Sequence, residues 1–202
     1  MSSHAALAAS PDALRLPPRP FSCCNCAVAA PDALPSLVLA KVREQIERTE
    51  HLIALIPPDR LAWKPDIPGA RSIAELLGHL LDCLAGFCAA LYAFDPVRLA
   101  RFAGLRGRKV NDACGTAEAL DRVREYAGCI EEGFALLTGQ DLVRPVKTVF
   151  VPQGEPLLTL LLGNLEHLIN HKHQLFFYLK LLGAPVSTAD LYRLRGPAPA
   201  TE

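Results

Sequence analysis

Apolar residues recur at helical spacing in four stretches of this chain, and proline, glycine and capping residues fall between them. Over residues 34–56, Leu39, Val42, Ile46, Leu52, Ile53 and Ile56 recur with charges between them, and Pro57-Pro58 ends the run. A linker with Trp63, Pro65, Pro68 and Gly69 leads to Ser72 and Glu75, the spacing of a capping box, which predicts a second helix to about residue 94. Asp95-Pro96 opens a basic stretch with Arg98, Arg101, Arg106, Arg108 and Lys109, expected to be irregular. Thr116 is read as the cap of a third amphipathic helix running to about residue 137, with Gly139 marking its end. Residues 141–155 mix β-branched side chains with Pro145, Pro152 and Gly154, which predicts an extended segment or a short hairpin. A last helix is expected over 156–182, with Gly183 at its stop and Pro185 beyond. The expected fold class is all-α, a four-helix bundle with long inter-helix loops.

Residues 1–33 are rich in Ala, Ser and Pro and lack either period, so they are expected to be a disordered extension. The bundle is then assigned to 34–196 and a flexible tail to 197–202. Half of the 202 residues are hydrophobic, enough for a sizeable core without staples. The 21 basic and 21 acidic residues cancel, so no net field draws the chain to nucleic acid or to an anionic membrane. The apolar run over 157–182 is interrupted by Glu166, three histidines and Lys172, so it does not read as a membrane span of about 20 residues. Seven cysteines, an odd number in a chain large enough to need no disulfide framework, favour reduced thiols and a cytoplasmic location. Prolines and charges among the first 20 residues break any signal-peptide core.

The last helix is apolar almost all round except for one line. At roughly 100° per residue, His167, His171, Gln174 and Tyr178 share a stripe, with Asn164 at its edge, whereas His173 falls on another face. Imidazoles at i and i+4 sit about 5 to 6 Å apart at Cβ and can converge on one ion. His79 stands inside the aliphatic segment LLGHLLDCL of the second helix, on the face of Ser72, Glu75 and Cys83. If the two helices face each other, His79, His167 and His171 make a three-imidazole site with coordination positions left open, suited to zinc, nickel, copper or iron. Glu75 and Asp82 are the candidate general bases or hydrogen-bond partners of the ligands, and Cys83 is a candidate fourth ligand. Arg106, Arg108 and Lys109, with Arg98, Arg101, Arg144 and Lys147, are candidates for holding carboxylates of a thiol cofactor or an acidic substrate.

The segments LAWKPDIPGARSIAELLGHLLD and HLINHKHQLFFYLKLLG resemble the linker, metal-bearing second helix and closing helix of the DinB-like superfamily, also called YfiT-like metal-dependent enzymes. The resemblance covers about residues 36–195. Aligned on Gln174-Leu175, the family's metal ligands fall on His79, His167 and His171. The chain departs from the family where paired histidines are often followed by Arg-Gly; here Asn170, His171, Lys172 and His173 stand instead. The resemblance implies a four-helix bundle, commonly a homodimer, with a His-coordinated zinc or nickel ion. It also implies a small-molecule substrate and, as in thiol-dependent transferases and isomerases of the family, a low-molecular-weight thiol whose thiolate the ion activates. Two functions are therefore expected: a thiol S-transferase or hydrolase, or a non-catalytic metal-binding stress-response module or dimeric scaffold.

Overall fold

The computed structural model describes residues 33–106, 111–148 and 151–192. The expected N-terminal extension, with Cys23, Cys24 and Cys26, lies outside the described residues, as do the expected tail, Arg108 and Lys109.

The first helix, α1, spans Ala33–Ala54 and turns its buried residues Val42, Ile46, Leu52 and Ile53 inward, as the spacing predicts. Its successor α2, Ile73–Leu91, begins at the expected capping box. The Ser72 hydroxyl accepts from the Glu75 N–H at 3.2 Å, and the Glu75 carboxylate accepts from the Ser72 N–H at 2.6 Å. Two backbone bonds, Ile73 N–H to the Trp63 carbonyl and Ala74 N–H to the Leu61 carbonyl, fasten the linker to the first turn of α2.

The basic stretch after Asp95 is not irregular: it forms helix α3, Pro96–Arg106. The cause is local. The Asp95 carboxylate accepts from the Arg98 N–H at 3.0 Å, Pro96 supplies a first-turn φ, and Phe102 is buried at 3% exposure. Helix α4, Thr116–Ala135, also starts differently from the reading above. Gly115 is its N-cap, and the Thr116 hydroxyl is buried without a partner among the described residues. Residues 145–146 and 155–156 pair as strands β1 and β2 in a short antiparallel hairpin, in register Pro145 with Pro156 and Val146 with Glu155. Helix α5, Leu157–Leu181, then runs to Gly183, whose φ of 74° is the left-handed conformation that ends a helix and favours glycine. A short helix not foreseen in the sequence, α6 (Thr188–Leu191), packs back on α1 through a His51–Asp190 contact of 2.9 Å.

Helix α2 is the centre of the bundle, packed on α4 and α5, with α1 closing the other side of both. It is also the one described helix whose length and hydropathy would suit a membrane span, but about two thirds of that span (67%) is buried inside the bundle and it carries Glu75, His79 and Asp82. Leu76, Leu77, Leu80, Leu81 and Leu84 are each no more than 1% exposed. At roughly 1.5–3 kcal/mol per fully buried side chain, these five contribute on the order of 10 kcal/mol before chain entropy is subtracted. Apolar packing of this size holds the backbone on which His79 stands.

Candidate metal site

Helix α2 presents His79 and α5 presents His167 and His171, and the contact between the two helices brings the three rings together. His79 Nε2 lies 3.0 Å from His171 Nε2 and 3.3 Å from His167 Nε2, and one ligand atom from each ring lies within 4.8 Å of the other two. The rings meet edge to face, with centroids 4.3 to 5.1 Å apart. Nitrogens bound to one ion at 2.0–2.1 Å in tetrahedral geometry stand about 3.3 Å apart, so the observed spacings fit a single divalent ion. The alternative, hydrogen bonding among the rings, leaves His79 Nε2 with a single proton or a single lone pair to share between two partners.

The electrostatics favour the metal-binding form of the rings. Burial pushes His79 down to about 4, and the neighbouring His171, Arg71 and His167 add to that shift. His167 is also lowered, by burial first and then by His171 and Arg71, with Asp82 opposing. Unprotonated imidazoles keep the lone pairs that an ion requires. His171 is oriented by its other nitrogen: Nδ1 lies 2.8 Å from Gln174 Oε1, so Nδ1 carries the proton it donates and Nε2 is left with a lone pair. The Gln174 amide in turn donates to the Tyr178 hydroxyl at 3.0 Å, and the Tyr178 ring packs edge-on against Trp63 of the linker, with centroids 5.5 Å apart. The three histidines could therefore hold a metal ion.

His167 is exposed, and a cleft of about 280 Å³ opens beside His79, lined by Arg71, Glu75, Asp82, Asn111 and Asp112. Glu75 lines this cleft while serving as the partner in the capping box, and the two Ser72 hydrogen bonds hold its carboxyl below the usual range. Asp82 lies 3.5 Å from Asn111 Nδ2, which also donates to the Tyr126 hydroxyl at 2.8 Å; that hydroxyl accepts a second bond, 2.9 Å, from the buried Arg122. The loop at 111–112 reaches α2 because residue 78 is glycine: a Cβ there would stand 2.5 Å from the Asn111 carbonyl oxygen. Arg71, Asn111, Asp112 and Tyr126 were not foreseen, since a loop crossing a helix leaves no periodic mark in the sequence. Gln174 and Tyr178 carried a signal, being the polar members of the histidine stripe.

Two groups of candidates lie apart from the histidines. Cys83 donates to the His79 backbone carbonyl at 3.2 Å, burial pushes its thiol up to about 12, and it is not among the residues that converge. Of the basic residues, Arg144 pairs with Asp141 at 2.9 Å and stacks over the Phe94 ring, and Arg98 pairs with Asp95 at 3.4 Å. None of the described ones lines the histidine cleft. The backbone of Arg106 ends α3, and Arg108 and Lys109 lie outside the described residues. His173, as its angle predicts, faces away from the cluster, with Nδ1 2.9 Å from the Ile169 carbonyl oxygen.

Comparison with known proteins agrees with this architecture. The curated proteins give no match. Among solved structures the chain is similar to a crystal structure of a DinB-like protein, YjoA, from Bacillus subtilis. The identity is 20% and the TM-score 0.57, over 73% of this chain and 92% of that one, a likeness that establishes a shared fold. Residues 41–175, which include all three converging histidines, match the family described as the DinB superfamily, and the chain belongs to that family.

Proposed function

We propose that this protein is a metal-dependent enzyme in which His79, His167 and His171 hold one divalent ion, zinc or nickel, and a thiol or water is the nucleophile. The observation that carries this reading is the convergence of three Nε2 atoms where His79 lines an open cleft and His167 is exposed. Held by these three residues, such an ion would lower the pKa of a thiol or water toward neutrality. The residues of the chain supply the rest. Gln174 fixes the His171 tautomer, and burial keeps His79 neutral. Asp82, on the cleft wall and reached by the Asn111 amide, is placed to accept a proton from a small-molecule substrate. Arg71 is the cation of the cleft, and its guanidinium suits a substrate or thiol carboxylate.

The competing reading is a non-catalytic module whose metal braces the bundle. A bracing site would be closed by a fourth protein ligand, and Cys83, the nearest thiol in sequence, is turned to the His79 carbonyl. The exposed edge of His167 and the cleft favour catalysis. A homodimer is part of the same proposal, supported by Phe177 at 61% and Leu181 at 66% exposure on α5.

The decisive experiment purifies the full chain without an affinity tag, measures bound metals by elemental analysis, and assays thiol transfer and hydrolysis of activated esters and amides before and after chelation. One ion per chain and activity lost with the ion are expected. Turnover surviving complete metal removal would reject the mechanism, and a stoichiometric ion without turnover on any such substrate would favour the bracing module. Sedimentation of the same sample reads the oligomeric state.

A further inference from the structure

The outward face of α5 carries a pattern that the histidine site does not use. At about 100° per residue, Leu162, Glu166, Ile169, His173, Phe177 and Lys180 all lie within about 40° of the direction of His173. His167 and His171 lie about 120° and 160° round from it. Leu162, Glu166, Phe177 and Lys180 are exposed, and Ile169 and His173 are partly exposed.

The stripe is symmetric about His173. Ile169 and Phe177 stand four residues to either side of it, and Glu166 and Lys180 seven residues, or about 10 Å along the axis. The symmetry therefore sets apolar against apolar and acid against base. Among the described residues Glu166 has no basic partner and Lys180 no acidic one; the Lys180 ammonium instead lies 5.3 Å from the centre of the Phe176 ring. Fourteen residues apart on one straight helix, about 21 Å, the two charges cannot meet within a chain.

We propose that two copies of this chain associate through this face, with their α5 helices antiparallel about a two-fold axis at His173 and Glu166 of each copy against Lys180 of the partner subunit. This rests on the homodimer proposed above and adds to it the face, the symmetry and the pairing. A two-fold axis makes every contact twice, so one apolar pair and one charge pair per copy become two of each. Phe177, a large exposed aromatic that meets Ile169 of the partner subunit, is the anchor of the contact. Because His167 stands about 120° from the centre of the stripe, the partner lies beside the histidines and does not seal them.

Charge reversal tests the pairing. Sedimentation equilibrium of the full chain, as purified, compares wild type with Glu166→Lys and Lys180→Glu. Each variant alone sets like charges against each other twice per dimer, so its dissociation constant should rise at least about tenfold, and high salt should narrow the difference. Mixed in equal amounts, the two variants should associate about as tightly as wild type, because every acid then meets a base. A variant that had merely lost its fold would not be rescued by mixing. Phe177→Asp, which removes the anchor without touching either charge, should leave only monomer. Metal bound per chain, read by elemental analysis, should be the same in all of them. A wild-type chain that stays monomeric would overturn both this interface and the homodimer. A wild-type dimer that neither reversal weakens would overturn this interface alone and leave the homodimer and the metal site standing.

Discussion

His171 and Gln174, one turn apart on α5, share a hydrogen bond of 2.8 Å between Nδ1 and Oε1, and this bond decides which imidazole nitrogen faces the site. Because a neutral ring has one proton, placing it on Nδ1 leaves the Nε2 lone pair beside His79. Tyr178 holds the Gln174 amide from the other side, so the acceptor cannot swing away without breaking a second bond.

Gln174→Ala should therefore weaken zinc binding by about 10- to 100-fold with little change in helical content, and Gln174→Glu, which keeps the acceptor, should restore or exceed the original affinity. Competition with a chromophoric chelator measures both. Nitrogen NMR of the metal-free protein reads the tautomer itself, and an unchanged His171 tautomer in Gln174→Ala would rule this role out.

The histidine trio was legible because a helix imposes a strict angle on every residue: His167 and His171 share one stripe of α5 with Gln174 and Tyr178, and His79 stands inside the aliphatic run LLGHLL of α2. The same rule separated His173 from His171. Helix α3 was hidden by its charge: three arginines in eleven residues mask the apolar side that includes Phe102, and only Asp95-Pro96 signalled its start. At α4 both Gly115 and Thr116 are acceptable caps, and side-chain preference alone could not choose between them. The cleft wall was not legible at all. Asn111 and Asp112 reach His79 through a long-range contact permitted by a missing Cβ at Gly78, and no local pattern records such a contact.

That contact gives a stability prediction. In Gly78→Ala the new Cβ would stand 2.5 Å from the Asn111 carbonyl oxygen and 2.8 Å from the Asp112 carbonyl carbon, both backbone atoms that cannot rotate aside. A loss of about 1–3 kcal/mol is expected in urea denaturation, as for other overpacked sites. Wild-type stability in this variant would mean that the loop does not rest on α2.

The α1–α6 contact gives a pH prediction. Asp190 is lowered to about 2, first by its hydrogen bond with His51 and then by the Ser187 N–H at 2.7 Å. Since the folded value lies below the model-peptide value of 3.8, the stabilisation is present above that pH and is lost as the pH falls through 2. Asp190→Asn should cost about 1 kcal/mol near neutrality, a modest figure because both side chains keep some solvent contact. The gap between variant and wild type should close on acidification from about pH 4 toward 2. A gap that stays constant over that range would assign the loss to something other than the carboxylate charge.

The sharpest prediction separates two neighbouring histidines. His171→Ala should remove most bound metal, because it deletes the Nε2 that stands 3.0 Å from His79 and also strands the Gln174 acceptor. The loss should exceed the roughly 10- to 100-fold that removing an outer partner costs. His173→Ala should leave the metal stoichiometry unchanged. Two residues at about 100° each carry His173 about 200° round the helix, and its ring is bonded to the Ile169 carbonyl at 2.9 Å on the far side. Neither substitution should melt α5, whose Leu161, Leu168, Leu175 and Leu179 are all fully buried at 0% exposure and hold it by packing. Elemental analysis of the two variants, purified side by side, checks the register of the helix directly. Equal loss of metal in both would mean that α5 is locally overwound or bulged near Asn170 and that His173 reaches the site.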